Sequence, residues 1–238
     1  MSNTLSLFKD HKMINKPINS IEYTNLVKEL YDAVNKGPQE LKQLLYGAQT
    51  LDEYSAHGKF ELGDHDNCDG FQPNNNDETR FTEKRLCKCM YYLNGKYSEP
   101  NETCSKCTFS DRFKIIGDYK IIEYEVPAFY YGTGIGEIDL MLQCGDDIYA
   151  AEVKPYKNNE ETLLRMIAEI LTYTMGNDKG YKKAIAFFEK NRETGEKTAQ
   201  QKEYEMHNQE LLDLIKLADI TVFQFKEVSE MEYEICRL

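Results

Sequence analysis

Glu137, Ile138, Asp139 and Leu140, followed past a turn by Ala151, Glu152, Val153 and Lys154, bring carboxylates and an ammonium onto neighbouring segments. Those residue types together suit phosphodiester hydrolysis. A hard divalent cation takes oxygen ligands and is commonly held by one or two carboxylates, with waters and substrate phosphate completing its shell. Such a cation lowers the pKa of a coordinated water and stabilises charge developing on phosphorane oxygens. A lysine beside it can orient the attacking water, and acidic neighbours keep that lysine protonated. Taken alone, a Glu-x-Lys on an exposed strand signifies no more than a solvated face or a cross-strand ion pair. The acid on the preceding segment is what raises the expectation of chemistry.

Two strands must position these groups. Ile138, Leu140 and Leu142 alternate with Asp139, Met141 and Gln143, the period-two pattern of a strand with two distinct faces. Gly145, Asp146 and Asp147 supply turn chemistry, and 148–153 reads as the second strand of an antiparallel hairpin. Glu152 and Lys154 then share a face with Ala150, while Tyr149, Ala151 and Val153 share the other. A shared cation requires the register to bring Asp139 to the Glu152 face. After Pro155 the spacing predicts a helix over 160–175, with Leu163, Leu164, Ile167, Ile170 and Leu171 towards the core. Arg165, Glu169 and Tyr173 follow one another at one-turn spacing on another face. Arg165 and Tyr173 are candidates for phosphate contact, and a surface ion pair between Arg165 and Glu169 is the favoured reading.

At these residues the chain resembles the PD-(D/E)xK nuclease superfamily, the restriction-endonuclease-like fold. The match is Gly136-Glu137-Ile138-Asp139 on one strand and Glu152-Val153-Lys154 on the next. The resemblance implies that Asp139 and Glu152 are ligands of Mg2+ or Mn2+, together with the Val153 carbonyl, and that Lys154 is the catalytic lysine. Glu137 is a candidate for reaching a second ion. The proline that names the motif is absent before Asp139, and Glu169 stands where several branches carry a glutamine four residues before a tyrosine, here Tyr173. A helix ahead of the sheet often lends such sites a further acid, for which Glu29 and Glu40 are candidates.

A helix over 20–35 follows from Tyr23, Leu26, Val27, Leu30, Tyr31 and Val34 on one stripe, and Pro38 suits the first turn of a second helix. Over 59–110 apolar periodicity fades and cysteines gather. Cys87, Cys89, Cys104 and Cys107 could complete a tetrahedral thiolate zinc site, although the first pair is one residue tighter than usual. His65 and Cys68 could replace one pair. An iron–sulfur cluster and free thiols are the alternatives, and structural zinc is favoured. Cys144 and Cys236 read as small buried thiols. A core strand over 120–130, a buried strand over 184–188, one helix over 198–217 and a strand over 220–225 complete the prediction, with His207 on a helix surface.

At 238 residues with 41% apolar side chains, the chain can bury a sizeable core. No apolar run is long enough to cross a bilayer, and the N-terminus shows no signal-peptide pattern. A cytoplasmic protein is therefore expected, with its seven cysteines as thiols or ligands rather than disulfides. The net charge of −12 weighs against nucleic-acid binding, which needs lysine and arginine at phosphates. Lys84, Arg85, Lys88, Lys106, Arg112 and Lys114, or Lys179, Lys182 and Lys183, could still form a local basic stripe. The expectation is a mixed α/β, restriction-endonuclease-like domain: helices over 1–58, a cysteine-rich zinc-binding insertion over 59–112, and a nuclease-like core over 113–238. Its activity would be metal-dependent hydrolysis of nucleic acid, DNA before RNA, with a homodimer left open. The rival is a nuclease fold without chemistry, acting as an adaptor or inhibitor of a nucleic-acid enzyme.

Overall fold

A computed structural model describes residues 16–46, 83–96, 113–128, 137–157, 161–175, 179–230 and 232–238. A seven-stranded mixed sheet runs through its centre in the order β1-β7-β6-β5-β4-β3-β2. The strands are β1 (Lys114–Ile116), β2 (Lys120–Pro127), β3 (Glu137–Cys144), β4 (Asp147–Lys154), β5 (Lys182–Phe188), β6 (Ile220–Ser229) and β7 (Glu232–Arg237). The β3–β4 hairpin closes through Gly145, whose φ of 58° is a left-handed conformation that glycine adopts without a Cβ penalty. β4, β5 and β6 are mutually parallel, so helical crossovers must join them.

The helices are α1 (Ile21–Lys36), α2 (Pro38–Tyr46), α3 (Glu83–Tyr91), α4 (Leu163–Thr174), α5 (Ala199–Glu205) and α6 (Gln209–Leu217). α1 starts where the Ser20 hydroxyl accepts the Tyr23 N–H at 3.1 Å. Its stripe of Tyr23, Leu26, Val27 and Leu30 joins α2, α4 and α6 in one apolar layer against the sheet, which contributes Val126, Met141, Ala150, Ile185, Phe187 and Val222. The opposite face of the sheet carries a second layer, rich in aromatic side chains and closed by Leu86, Cys87 and Met90 of α3.

Several expectations change. The helix expected over 198–217 is two helices, broken at His207 with φ 49°. Asn208 starts α6 afresh by accepting the Glu210 and Leu211 N–H groups, a capping competition that apolar spacing does not register. α3 lies inside the segment read as a separate cysteine-rich insertion, yet it packs into the second core layer. Asn94, in the π-helical turn Tyr92–Lys96 that follows, ties α3 to β1. Its amide donates to the Met90 and Phe113 carbonyls, and its oxygen accepts the Ile115 N–H. β1, at one edge of the sheet, and β7 beside it were not anticipated. Cys144 and Cys236, read as buried, are partly exposed. Among the described residues, no helix is long and apolar enough to cross a membrane.

Candidate metal centre

Strand register settles which way the acids point. Glu152 lies beside Ile185 and Lys154 beside Phe187 in the parallel β4–β5 pair, and both of those partners belong to the layer under α4. Neighbours in a ladder share a face, so Glu152 and Lys154 project towards α4. In the antiparallel β3–β4 pair, Met141 faces Ala150 and Leu140 faces Ala151. One further step in that register brings Asp139 to Glu152, on the same side of the sheet. The β3–β4 pairing runs no further than Leu140 and Ala151, and just past it the Val153 N–H donates to Asp139 Oδ2 at 2.7 Å. A side chain thus fills the end of the ladder and is itself held in place.

Glu83, at the first position of α3, completes the group. One carboxylate oxygen each from Glu83, Asp139 and Glu152 lie within 4.8 Å of one another. Glu152 is 2% exposed, and its Oε2 has no hydrogen-bond partner, an orphaned acceptor of the kind a bound cation would satisfy. Three convergent carboxylates are hard oxygen donors and fit Mg2+, Mn2+ or Ca2+ better than a thiolate-preferring metal.

Lys154 sits in the middle of the acids. Its Nζ is 2.7 Å from Glu152 Oε1, 3.1 Å from Glu83 Oε2, 3.0 Å from Glu161 Oε2 and 3.0 Å from Glu169 Oε2. Arg165 Nε adds a bond of 2.9 Å to Glu169 Oε1 along α4. Five carboxylates therefore face two cations, which leaves room for a further positive charge.

Electrostatics follow that imbalance. Burial, then repulsion from Glu83, pushes the Asp139 carboxyl well above its ordinary range, and burial followed by repulsion from Asp139 does the same to Glu152. Glu83 is raised chiefly by burial, against the pull of Lys154. Glu169 goes the other way: burial opposes its charge, but the Lys154 ammonium, hydrogen bonding with Glu152 and the Arg165 guanidinium outweigh it and hold the carboxyl low. Burial disfavours the Lys154 ammonium, yet the surrounding carboxylates prevail and keep it protonated well above the usual lysine range. The Tyr173 hydroxyl is raised by burial and then by Glu152 and Glu169, which places Tyr173 at the margin of the same cluster.

The other expected residues are distributed as follows. Glu137 is exposed at the start of β3, opposite Pro127. Val153 is fully buried. Arg165 and Tyr173 are both buried on α4, and the Arg165–Glu169 ion pair forms, but within the protein rather than on its surface as expected. The extra acid comes from Glu83 rather than Glu29 or Glu40, which are exposed because α1 and α2 turn their apolar stripes to the sheet. Cys87 and Cys89 lie on α3, where residues two apart leave the helix on different sides. Cys87 is packed into the apolar layer, and burial pushes its thiol up. Cys104, Cys107, His65 and Cys68 lie outside the described residues, as do Lys106 and Arg112. Of the basic groups, Lys84 pairs with Glu125 at 2.8 Å, Lys114 with Glu232 at 3.7 Å and Lys182 with Asp147 at 2.6 Å.

Glu83 and Glu161 are the site residues that sequence reasoning missed. Glu83 opens a nine-residue helix in a stretch read as irregular, and Glu161 precedes Thr162, whose hydroxyl caps α4 by accepting the Arg165 N–H at 3.2 Å. The capping residue was a usable signal for where α4 starts. It says nothing about where the preceding carboxylate points.

No family model matches this chain, and no curated protein matches it. Among solved structures, SfsA from Pyrococcus furiosus in complex with Ca2+ matches over 50% of this chain and 53% of that one, at 17% identity and a TM-score of 0.24. The match thus spans about half the length of that protein. A superposition this loose carries no argument about activity. The chain stands as a mixed α/β protein with a seven-stranded sheet flanked by helices and an acidic cluster able to hold a divalent cation.

Proposed function

We propose that this protein is a metal-dependent nuclease of the PD-(D/E)xK, restriction-endonuclease-like type, hydrolysing phosphodiester bonds in DNA. The observation that carries this is the meeting of Asp139, Glu152 and Glu83 around one point with the Lys154 ammonium beside them. A divalent cation bound there supplies Lewis-acid stabilisation of charge building on the scissile phosphate. Asp139, Glu152 and Glu83 hold that cation, with the Val153 carbonyl as a further donor. Lys154, kept charged by its carboxylate partners, offsets phosphate charge and orients the nucleophilic water. Glu137 lies outside the triad and is assigned to a second ion only. Arg165, ion-paired with Glu169, and Tyr173 are both buried on α4, so they are assigned to supporting the cluster rather than to the phosphate contact expected from sequence. A zinc ion at Cys87, Cys89, Cys104 and Cys107 remains a proposal from sequence spacing.

A second reading is favoured by charge. With a net charge of −12 and the basic side chains named above paired to acids, the same fold suits an adaptor or inhibitor that meets a nucleic-acid enzyme rather than nucleic acid. Incubating double- and single-stranded DNA and RNA with the protein and Mn2+ separates the two. Cleavage by the wild type that falls at least about a hundredfold in Asp139→Asn and Lys154→Ala supports the nuclease. Cleavage that survives either substitution, or none from the wild type with any substrate, removes it.

A further inference from the structure

α5 is short, and its buried face is polar. Gln200 is 1% exposed, Gln201 5% and Glu203 2%, an arrangement that costs stability unless each group is answered by a partner. Two bonds anchor this element to the sheet. The Thr198 hydroxyl donates to the Phe188 carbonyl of β5 at 2.6 Å, and Gln224 of β6 donates to Gln201 Oε1 at 2.6 Å. From that anchor the helix reaches the loop that precedes α4. Gln200 Nε2 donates to the Glu161 carbonyl at 2.7 Å, and Glu203 Oε2 accepts the Leu163 N–H at 2.8 Å while Tyr23 of α1 donates to its other oxygen. Glu161 Oε2 in turn lies 3.0 Å from Lys154 Nζ. Direct contacts therefore run from the sheet through α5 to the lysine.

A lysine has a flexible four-carbon stem and loses its place unless something holds the head group. Two of its four carboxylate partners, Glu83 and Glu152, are also members of the triad. Once a cation takes their oxygens, Glu161 and Glu169 are left to fix the ammonium, and Glu169 is shared with Arg165. Resting on the metal-site reading above, we propose that Glu161 and Gln200 are positioning residues: Gln200 fixes the backbone of Glu161, and Glu161 fixes Lys154 beside the triad in the cation-loaded protein. Glu161 and Glu203 line an open cleft with Lys16 and Ile18, whereas Lys154 is only 3% exposed, so its labelling reports how firmly the head group is held.

The test compares full-length wild type, Glu161→Gln and Gln200→Leu in the presence of Mn2+. Lys154 is labelled by reductive methylation and quantified by mass spectrometry, with Lys157 as the internal reference, and Mn2+ affinity is measured by calorimetry. Lys154 labelling is expected to rise about tenfold in both variants, the loss of one charge-assisted contact, while the Mn2+ Kd stays within about threefold. Where cleavage is measurable, kcat falls and the KM for Mn2+ does not. Unchanged Lys154 labelling in both variants overturns the proposal, as does a rise shared by Lys157 together with lost Mn2+ binding, the mark of a purely structural role. If Gln200→Leu does not fold, Glu161→Gln decides alone. Should the wild type cleave no nucleic acid, the nuclease reading fails while the labelling still decides whether Lys154 is positioned this way.

Discussion

Burial and mutual repulsion raise the Asp139 and Glu152 carboxyls well above their ordinary range, so cation binding at the triad competes with protons. The sign follows directly. An acid whose folded pKa is raised holds its proton past the ordinary carboxylate range, and a cation must displace it. Mn2+ affinity is therefore expected to climb with pH through and beyond that range, with proton release on binding. Calorimetry in buffers of different ionisation enthalpy reads both, and a pH-independent affinity without proton release contradicts the assignment. In the cation-free protein the same groups subtract stability as pH rises and they are forced to ionise. Asp139, Glu152 and Lys154 were legible in the sequence because a two-residue alternation dictates which side chains share a face. Glu83 was not: it arrives from a different layer, and nothing in local spacing encodes a meeting across 56 or more residues of chain. Lys154 was foreseen as a catalytic group, but not its confinement among four carboxylates.

At the scale of elements, the hairpin, α1, α2, α4 and the inner strands follow from apolar periodicity, caps and the Gly145 turn. The misjudged elements are those whose reasons are polar or non-local. α5 and α6 part because Asn208 caps a new helix, and the three residues of β1 are held by distant partners, β7 and Asn94. β7 was readable in principle, since Tyr233 and Ile235 alternate with Glu232 and Glu234 and are buried. Glu203 belongs at this scale, because it joins α5 to α4 and α1. Burial pushes its carboxyl up to about 7, against the hydrogen bonds from Tyr23 and the α4 N–H groups. The folded state thus binds this proton more tightly than the unfolded chain does. The benefit is complete below the ordinary glutamate range and lost as pH rises through about 7. Glu203→Gln, which keeps an acceptor for Leu163, is expected to be near neutral at about pH 5 and stabilising by about 2 kcal/mol at about pH 8. Urea unfolding of both proteins at the two pH values checks this, and an equal effect at each contradicts it.

Across the whole molecule, the centre lies where three parts of the fold converge. The β3–β4 hairpin supplies Asp139, Glu152 and Lys154, α3 brings Glu83 from the second layer, and α4 with its preceding loop brings Glu161 and Glu169 from the first. A protein of net charge −12 repels a polyanion at long range. On the proposed nuclease reading, a cation at the triad would lower that repulsion where a phosphate approaches, and so would bear on substrate binding as well as on chemistry. The most direct measurement is a crystal of the full chain soaked in Mn2+ and recorded at the manganese edge. An anomalous peak within bonding distance of Glu83, Asp139 and Glu152, with Lys154 still on Glu161 and Glu169, is the predicted result. A Mn2+-saturated crystal with no peak there, and the lysine still bridging Glu83 and Glu152, contradicts it.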